Sequence, residues 1–125
     1  IIEEVLNIYK NKNLKLKILD IGTGSGCIAI SLAKEYKNAS VTAIDVSYEA
    51  LEVAAKNSKI HNCSNQIQLK LIDFKSINSK FDLIVSNPPY LTKKEIANTS
   101  YEIRNFEPVI ALSSWVAVYP LLASI

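Results

Sequence analysis

An α/β fold built on a mainly parallel sheet is the architecture that this 125-residue sequence predicts. Three observations carry the prediction. Short β-branched or leucine-rich runs alternate with amphipathic stretches of about 10–16 residues, the pattern of βαβ units with right-handed crossovers. The chain's three glycines, Gly22, Gly24 and Gly26, all fall in one stretch between an apolar run and a helical pattern. Average usage of about 7 % would place roughly nine in this length, so their confinement to one loop marks backbone that turns sharply or approaches a ligand closely. Lastly, Phe81–Ser86 is apolar almost throughout, as expected of a strand buried on both faces.

Taken in order, residues 1–10 put Ile1, Ile2, Val5, Leu6 and Tyr9 on one face of a short helix. Leu16–Ile21 reads as the first strand, and Gly26 to about Tyr36 as a helix with Ile28, Leu32 and Ala33 inward. Ser40–Asp45 is β-branched and short, hence the second strand. Ser47 suits a helix N-cap and Glu49 the first turn, where the helix dipole favours negative charge. That helix runs to about Asn62, with Ala50, Leu51, Ala54, Ala55 and Ile60 as its apolar positions. Gln66–Ile72 alternates Ile67, Leu69 and Leu71 as a third strand, and Phe81–Ser86 is the fourth. It must stop at Asn87-Pro88-Pro89-Tyr90, because proline neither donates to a ladder nor fits a helix interior.

With no repeat, low-complexity stretch or linker, residues 1–125 read as a single domain. A net charge of +2 is too small to argue by itself for a nucleic-acid or membrane partner. Cys27 and Cys63 make no disulfide framework, which fits a reduced, cytoplasmic setting. His61 and Cys63 supply too few ligands for a closed zinc site, so they read as surface residues and no metal is expected. The N-terminus lacks the basic and apolar regions of a signal peptide, and no run approaches the ~18 apolar residues of a membrane span. The chain contains no methionine, so it reads as a piece of something longer.

In parallel sheets of this kind ligands bind outside the carboxyl ends of the strands. Those ends hold Asp20 with the loop Gly22-Thr23-Gly24-Ser25-Gly26, then Asp45, then Asp73-Phe74, then Asn87-Pro88-Pro89-Tyr90. Such a loop is expected to set bare N–H groups and a helix N-terminus beside a small molecule. The dinucleotide fingerprint is Gly-x-Gly-x-x-Gly, whereas here the spacing is Gly-x-Gly-x-Gly and Cys27 occupies the fingerprint's third glycine position. Asp45, 19 residues after Gly26, is placed to accept from both hydroxyls of a ribose, or else to cap a helix. Asp20 discriminates between ligands. A carboxylate beside the loop repels a pyrophosphate but suits a ligand carrying an ammonium and a sulfonium, as S-adenosylmethionine does. Asp73 reads equally well as a turn residue, and Phe74 as an adenine platform or a core residue.

These residues also resemble a family. Asp20-x-Gly22-x-Gly24-x-Gly26, Asp45, Asp73 and Asn87-Pro88-Pro89-Tyr90 are similar to the class I S-adenosylmethionine-dependent methyltransferases acting on planar conjugated nitrogens. Within that class, Asp20 through Leu32 and the later Phe106-Glu107-Pro108 with Ala111-Leu112 most resemble the release-factor glutamine methyltransferases. The resemblance implies a Rossmann-like class I fold, a peptide chain release factor as protein substrate, and a role in translation termination. It implies cofactor contacts from Asp20, Gly22, Thr23, Gly24, Gly26, Asp45, Asp73, Phe74 and Asn87. It further implies that Asn87 and the Pro88 carbonyl hold the target amide, that the two prolines keep that carbonyl rigid, and that Tyr90 packs under the substrate. Alignment of an amide with a sulfonium methyl is worth up to roughly 7–11 kcal/mol of effective concentration. Two alternatives accompany this reading. One is a nucleic-acid base methyltransferase (adenine-N6 or guanine-N2), since Asn-Pro-Pro-Tyr is shared with such enzymes; the other is an inactive remnant that at most binds the cofactor.

The family's N-terminal helical domain has no counterpart beyond residues 1–10, and the apolar, glycine-free segment 113–125 departs from its pattern. A truncated sheet, incomplete on its C-terminal side, is therefore expected. In it the far edge of the fourth strand is uncovered, unless Trp115–Tyr119 folds back before Pro120 ends it. Poor solubility, weakened cofactor binding and no ordinary rate of turnover follow as expectations for the chain alone.

Overall fold

A computed structural model describes residues 1–86 and the backbone of two further strands, 110–113 and 116–120. Alternation along the first strand, β1 (Lys17–Ile21), sends its side chains into two separate cores. Ile18 joins Val5, Leu32, Tyr36, Val41 and Leu83 on the face covered by helices. Leu19 and Ile21 pack on the opposite face with Ile44, Phe74, Phe81 and Ile84.

The remaining elements are α1 (Ile2–Ile8), α2 (Cys27–Glu35), β2 (Ser40–Asp45), α3 (Tyr48–Ile60), β3 (Ile67–Leu71), a 3₁₀ turn (Phe74–Ser76), β4 (Leu83–Ser86), β5 (Ile110–Ser113) and β6 (Val116–Pro120). Strands lie in the order β3-β2-β1-β4-β6-β5. The first four are mutually parallel, as the alternating pattern predicts. One expectation needs correcting. The far edge of β4 is not bare, because β6 pairs with it antiparallel from Leu83↔Pro120 to Ser86↔Ala117 and β5 pairs with β6 in turn. Trp115–Tyr119 was a candidate return strand, and Pro120 takes that strand's last place, where a missing donor interrupts the ladder least.

Ser47 caps α3 as its residue type suggests, its Oγ accepting from the Ala50 N–H at 3.2 Å. The helix closes on Asn62 at φ 57°, a left-handed position that asparagine tolerates. Some local readings fail. Ile60 is 71 % exposed and Leu71 is 53 % exposed, because α3 buries Leu51, Ala54 and Ser58 and because β3 is the sheet's edge among the described strands. On α2 the inward residues are Ala29, Ile30, Leu32 and Ala33, and Ile28 lies half-buried beside them. Cys63 is buried rather than on the surface, and His61 is exposed.

Gln66 closes the other end of α2. Its side-chain amide donates to the carbonyls of Ala33, Tyr36 and Ala39 at 3.0, 3.1 and 3.2 Å. Helix C-termini leave carbonyls without intrahelical donors, and this NH₂ serves Ala33 in the last turn of α2 together with Tyr36 and Ala39 in the turn that follows. Gln66→Ala is expected to cost roughly 1–3 kcal/mol. A denaturation midpoint unchanged from wild type would show that water replaces the amide without loss.

Candidate active site

The parallel register brings the strand ends level. Ile21 pairs with Ile44 and with Ser86, and Asp45 pairs with Leu71. Around this line lie Asp20, the glycine loop, Asp45 and, just beyond β3, Asp73. Asn87, Pro88, Pro89 and Tyr90 follow Ser86 in sequence and lie outside the described residues.

The loop is held by its own hydrogen bonds. Thr23 N–H donates to the Ile44 carbonyl and Gly26 N–H to the Thr23 carbonyl, both at 2.9 Å. Gly24 N–H donates to Asp45 Oδ2 at 2.9 Å. The expectation of a row of bare N–H groups is thus corrected, since three of them are already used. The loop is a poor phosphate cradle for that reason, which agrees with the departure from the dinucleotide spacing. Gly24 has φ +58° and open space where a Cβ would project, so the backbone there can be approached closely.

Asp45 is half-buried and doubly anchored. Besides Gly24, the Ser47 N–H donates to its Oδ1 at 3.0 Å. Both bonds orient the carboxylate while leaving each oxygen further lone pairs. Next to it Val46, which the sequence reading passed over, is 74 % exposed at the carboxyl end of β2. The signal was an apolar residue directly after a strand-end acid.

Asp20 is enclosed, at 1 % exposure. Thr23 Oγ donates to its Oδ2 at 2.8 Å, and its Oδ1 is buried without a hydrogen-bond partner among the described residues. Thr23, itself buried, therefore spends its hydroxyl on Asp20. Burial pushes the Asp20 carboxyl up to about 7, helped by the nearby charge of Asp45 and opposed by the Thr23 hydroxyl and the Ala29 amide in the first turn of α2. The sign for stability follows. In the folded chain Asp20 keeps its proton over a range in which the unfolded chain, near 3.8, has lost it. Relative to a neutral Asp20→Asn variant, wild type should lose stability as pH rises from about 4 to about 7, at roughly 1.4 kcal/mol per pH unit, and run level above that. Parallel stability profiles for the two proteins would contradict this.

Asp73 and Phe74 take the plainer of their two readings in the described contacts. Asp73 is exposed and its Oδ1 accepts from the Lys75 N–H at 3.1 Å, capping the 3₁₀ turn. Phe74 is 9 % exposed and belongs to the second core.

A glycine loop flanked by two carboxylates at the head of a parallel sheet is found here together with a family match. Residues 4–104 match the family described as Methyltransferase small domain, and the chain belongs to that family. Among similar proteins, the release factor glutamine methyltransferase of Flavobacterium psychrophilum is 50 % identical over 113 residues, covering 90 % of this chain and 39 % of its own length. That of Streptococcus pneumoniae is 42 % identical over 127 residues, covering 97 % of this chain and 45 % of the relative. The structure of PKMT2 from Rickettsia typhi in complex with AdoHcy matches with a TM-score of 0.55 at 28 % identity, covering 61 % of this chain and 15 % of that one. The chain spans about two-fifths of the length of the two release factor glutamine methyltransferases. Its sheet is that of a Rossmann-like class I methyltransferase fold. No helix among the described residues is long and apolar enough to cross a membrane.

Proposed function

We propose that this chain is the cofactor-binding part of an S-adenosylmethionine-dependent methyltransferase whose acceptor is a glutamine side-chain amide in a peptide chain release factor. The observation that carries the cofactor reading is the pair of carboxylates about the loop, above all the buried Asp20 oxygen that has no hydrogen-bond partner among the described residues. A buried acceptor left open costs free energy until a donor or cation reaches it. The cationic amino-acid end of S-adenosylmethionine fits that need, and Asp45 fits the ribose. Val46 offers an apolar wall to a flat base, and Gly24 lets the ligand lie against the backbone. Asp73 and Phe74 flank the adenine side, Phe74 from within the core.

When bound, the cofactor supplies a methyl group on a positively charged sulfur. The chain's own part is orientation. Asn87 and the Pro88 carbonyl hold the acceptor amide, Pro88 and Pro89 keep that carbonyl rigid, and Tyr90 packs under the substrate. The acceptor class rests on the relatives, and the cytoplasmic setting on a translation substrate and unpaired cysteines.

The test places the aligned part of this chain in the frame of the Flavobacterium relative, in place of the 113-residue segment that it matches. The chimera should transfer labelled methyl from S-adenosylmethionine to a release-factor glutamine. Within it Asn87→Ala should spare cofactor affinity and lower turnover by orders of magnitude. Labelling of DNA or RNA in place of the release factor would establish the nucleic-acid alternative. Cofactor binding without transfer to any acceptor would establish the inactive one.

A further inference from the structure

We propose that Asp20 is protonated in the ligand-free protein and gives up that proton when the cationic end of S-adenosylmethionine arrives, so that cofactor binding releases one proton to solvent. This rests on the methyltransferase reading above and adds a proton-linked control of affinity to the same site.

Geometry provides the argument. Asp20 sits mid-sheet, its neighbours in register being Ala43 on β2 and Val85 on β4, both uncharged and fully buried. The residue is 1 % exposed; one oxygen takes the Thr23 hydroxyl at 2.8 Å, and the other has no donor within hydrogen-bond distance among the described residues, the Ala29 amide acting on the carboxyl more weakly than that hydroxyl. An ionised carboxylate normally holds several donors when buried, or a cation. The groups acting on it are few. From the end of β2 comes Asp45, of like sign; from α2 comes the Ala29 amide with the positive end of the helix; from the loop comes the neutral Thr23 hydroxyl. Among the described residues no cation faces it. The shift of this carboxyl to about 7 agrees with that inventory.

The exchange balances simply. The carboxyl O–H bond breaks, the proton leaves to buffer, and the incoming cation becomes the counter-charge that no described residue supplies. Thr23 acts as a positioning residue here, its hydroxyl keeping the carboxyl turned toward the loop.

Calorimetric titration of the 125-residue chain with S-adenosylmethionine tests this between pH 5.5 and 7. In that interval an ordinary α-amino group, near 7.7–8.0, stays charged and contributes no proton. Buffers of low and high ionisation heat should report release of close to one proton at pH 6. Affinity should rise by up to about tenfold per pH unit across the interval. Asp20→Asn should abolish both the release and the slope, and bind more weakly at pH 7. Binding by wild type with no proton released, or the same release from Asp20→Asn, overturns the proposal and leaves the methyltransferase reading standing. Failure of wild type to bind S-adenosylmethionine at any of these pH values overturns both.

Discussion

Asp45→Ala should weaken S-adenosylmethionine binding by roughly 10- to 150-fold, about 1.5–3 kcal/mol. Two losses combine in that figure. The carboxylate no longer accepts from the ribose, and the Gly24 N–H loses the Oδ2 acceptor that it reaches at 2.9 Å. The second loss loosens the loop before any ligand arrives. Asp45→Asn separates the two, because its amide oxygen still accepts one backbone N–H while the charge is gone, so an intermediate affinity is expected. Calorimetry that finds wild-type affinity in the alanine variant removes Asp45 from the site.

Gly26→Ala should destabilise the fold by roughly 2–5 kcal/mol, a large share of a small domain's total. Gly26 has φ +84°, and a Cβ built there would meet the Ala54 Cβ at 3.1 Å and the Ile30 Cδ1 at 3.4 Å. A left-handed conformation costs an alanine about 1–2 kcal/mol, and crowding between two packed helices adds about 1–3 kcal/mol. Gly24→Ala is the control, since its φ of +58° carries the conformational cost alone in open space. Equal shifts of the denaturation midpoint in both variants would mean that the contact between α2 and α3 relaxes freely.

The frame of this fold was legible because local and global signals agree. β2 spans Ser40–Asp45, as its β-branched run suggests, since each residue alternates between two apolar faces. Ser47 and Glu49 marked the start of α3 because capping and dipole effects act within a turn of the chain. The carboxylates at the ends of β1 and β2 were legible for a similar reason, since parallel topology fixes which strand ends meet. Long-range contacts were not legible. Nothing local told that Gln66 reaches across to the end of α2 or that Asp45 ties down Gly24. Ile60 matched a helical period but lies past the last inward turn, and Cys63 is buried by a chain reversal at Asn62 that no periodicity reports. The pairing of β6 with β4 was seen only as a possibility, because it joins segments about thirty residues apart. The Asn87–Tyr90 tetrapeptide remains a reading of sequence and family alone.

Equilibrium dialysis of the purified chain against labelled S-adenosylmethionine, with NAD as the rival ligand, tests the central claim most directly. A single saturable site for S-adenosylmethionine, displaced by its demethylated product and untouched by NAD at equal concentration, is the result expected of two carboxylates around a loop in which the Thr23, Gly24 and Gly26 amides are already bonded. Retention of NAD with equal or higher affinity, or no retention of S-adenosylmethionine at all, would contradict it.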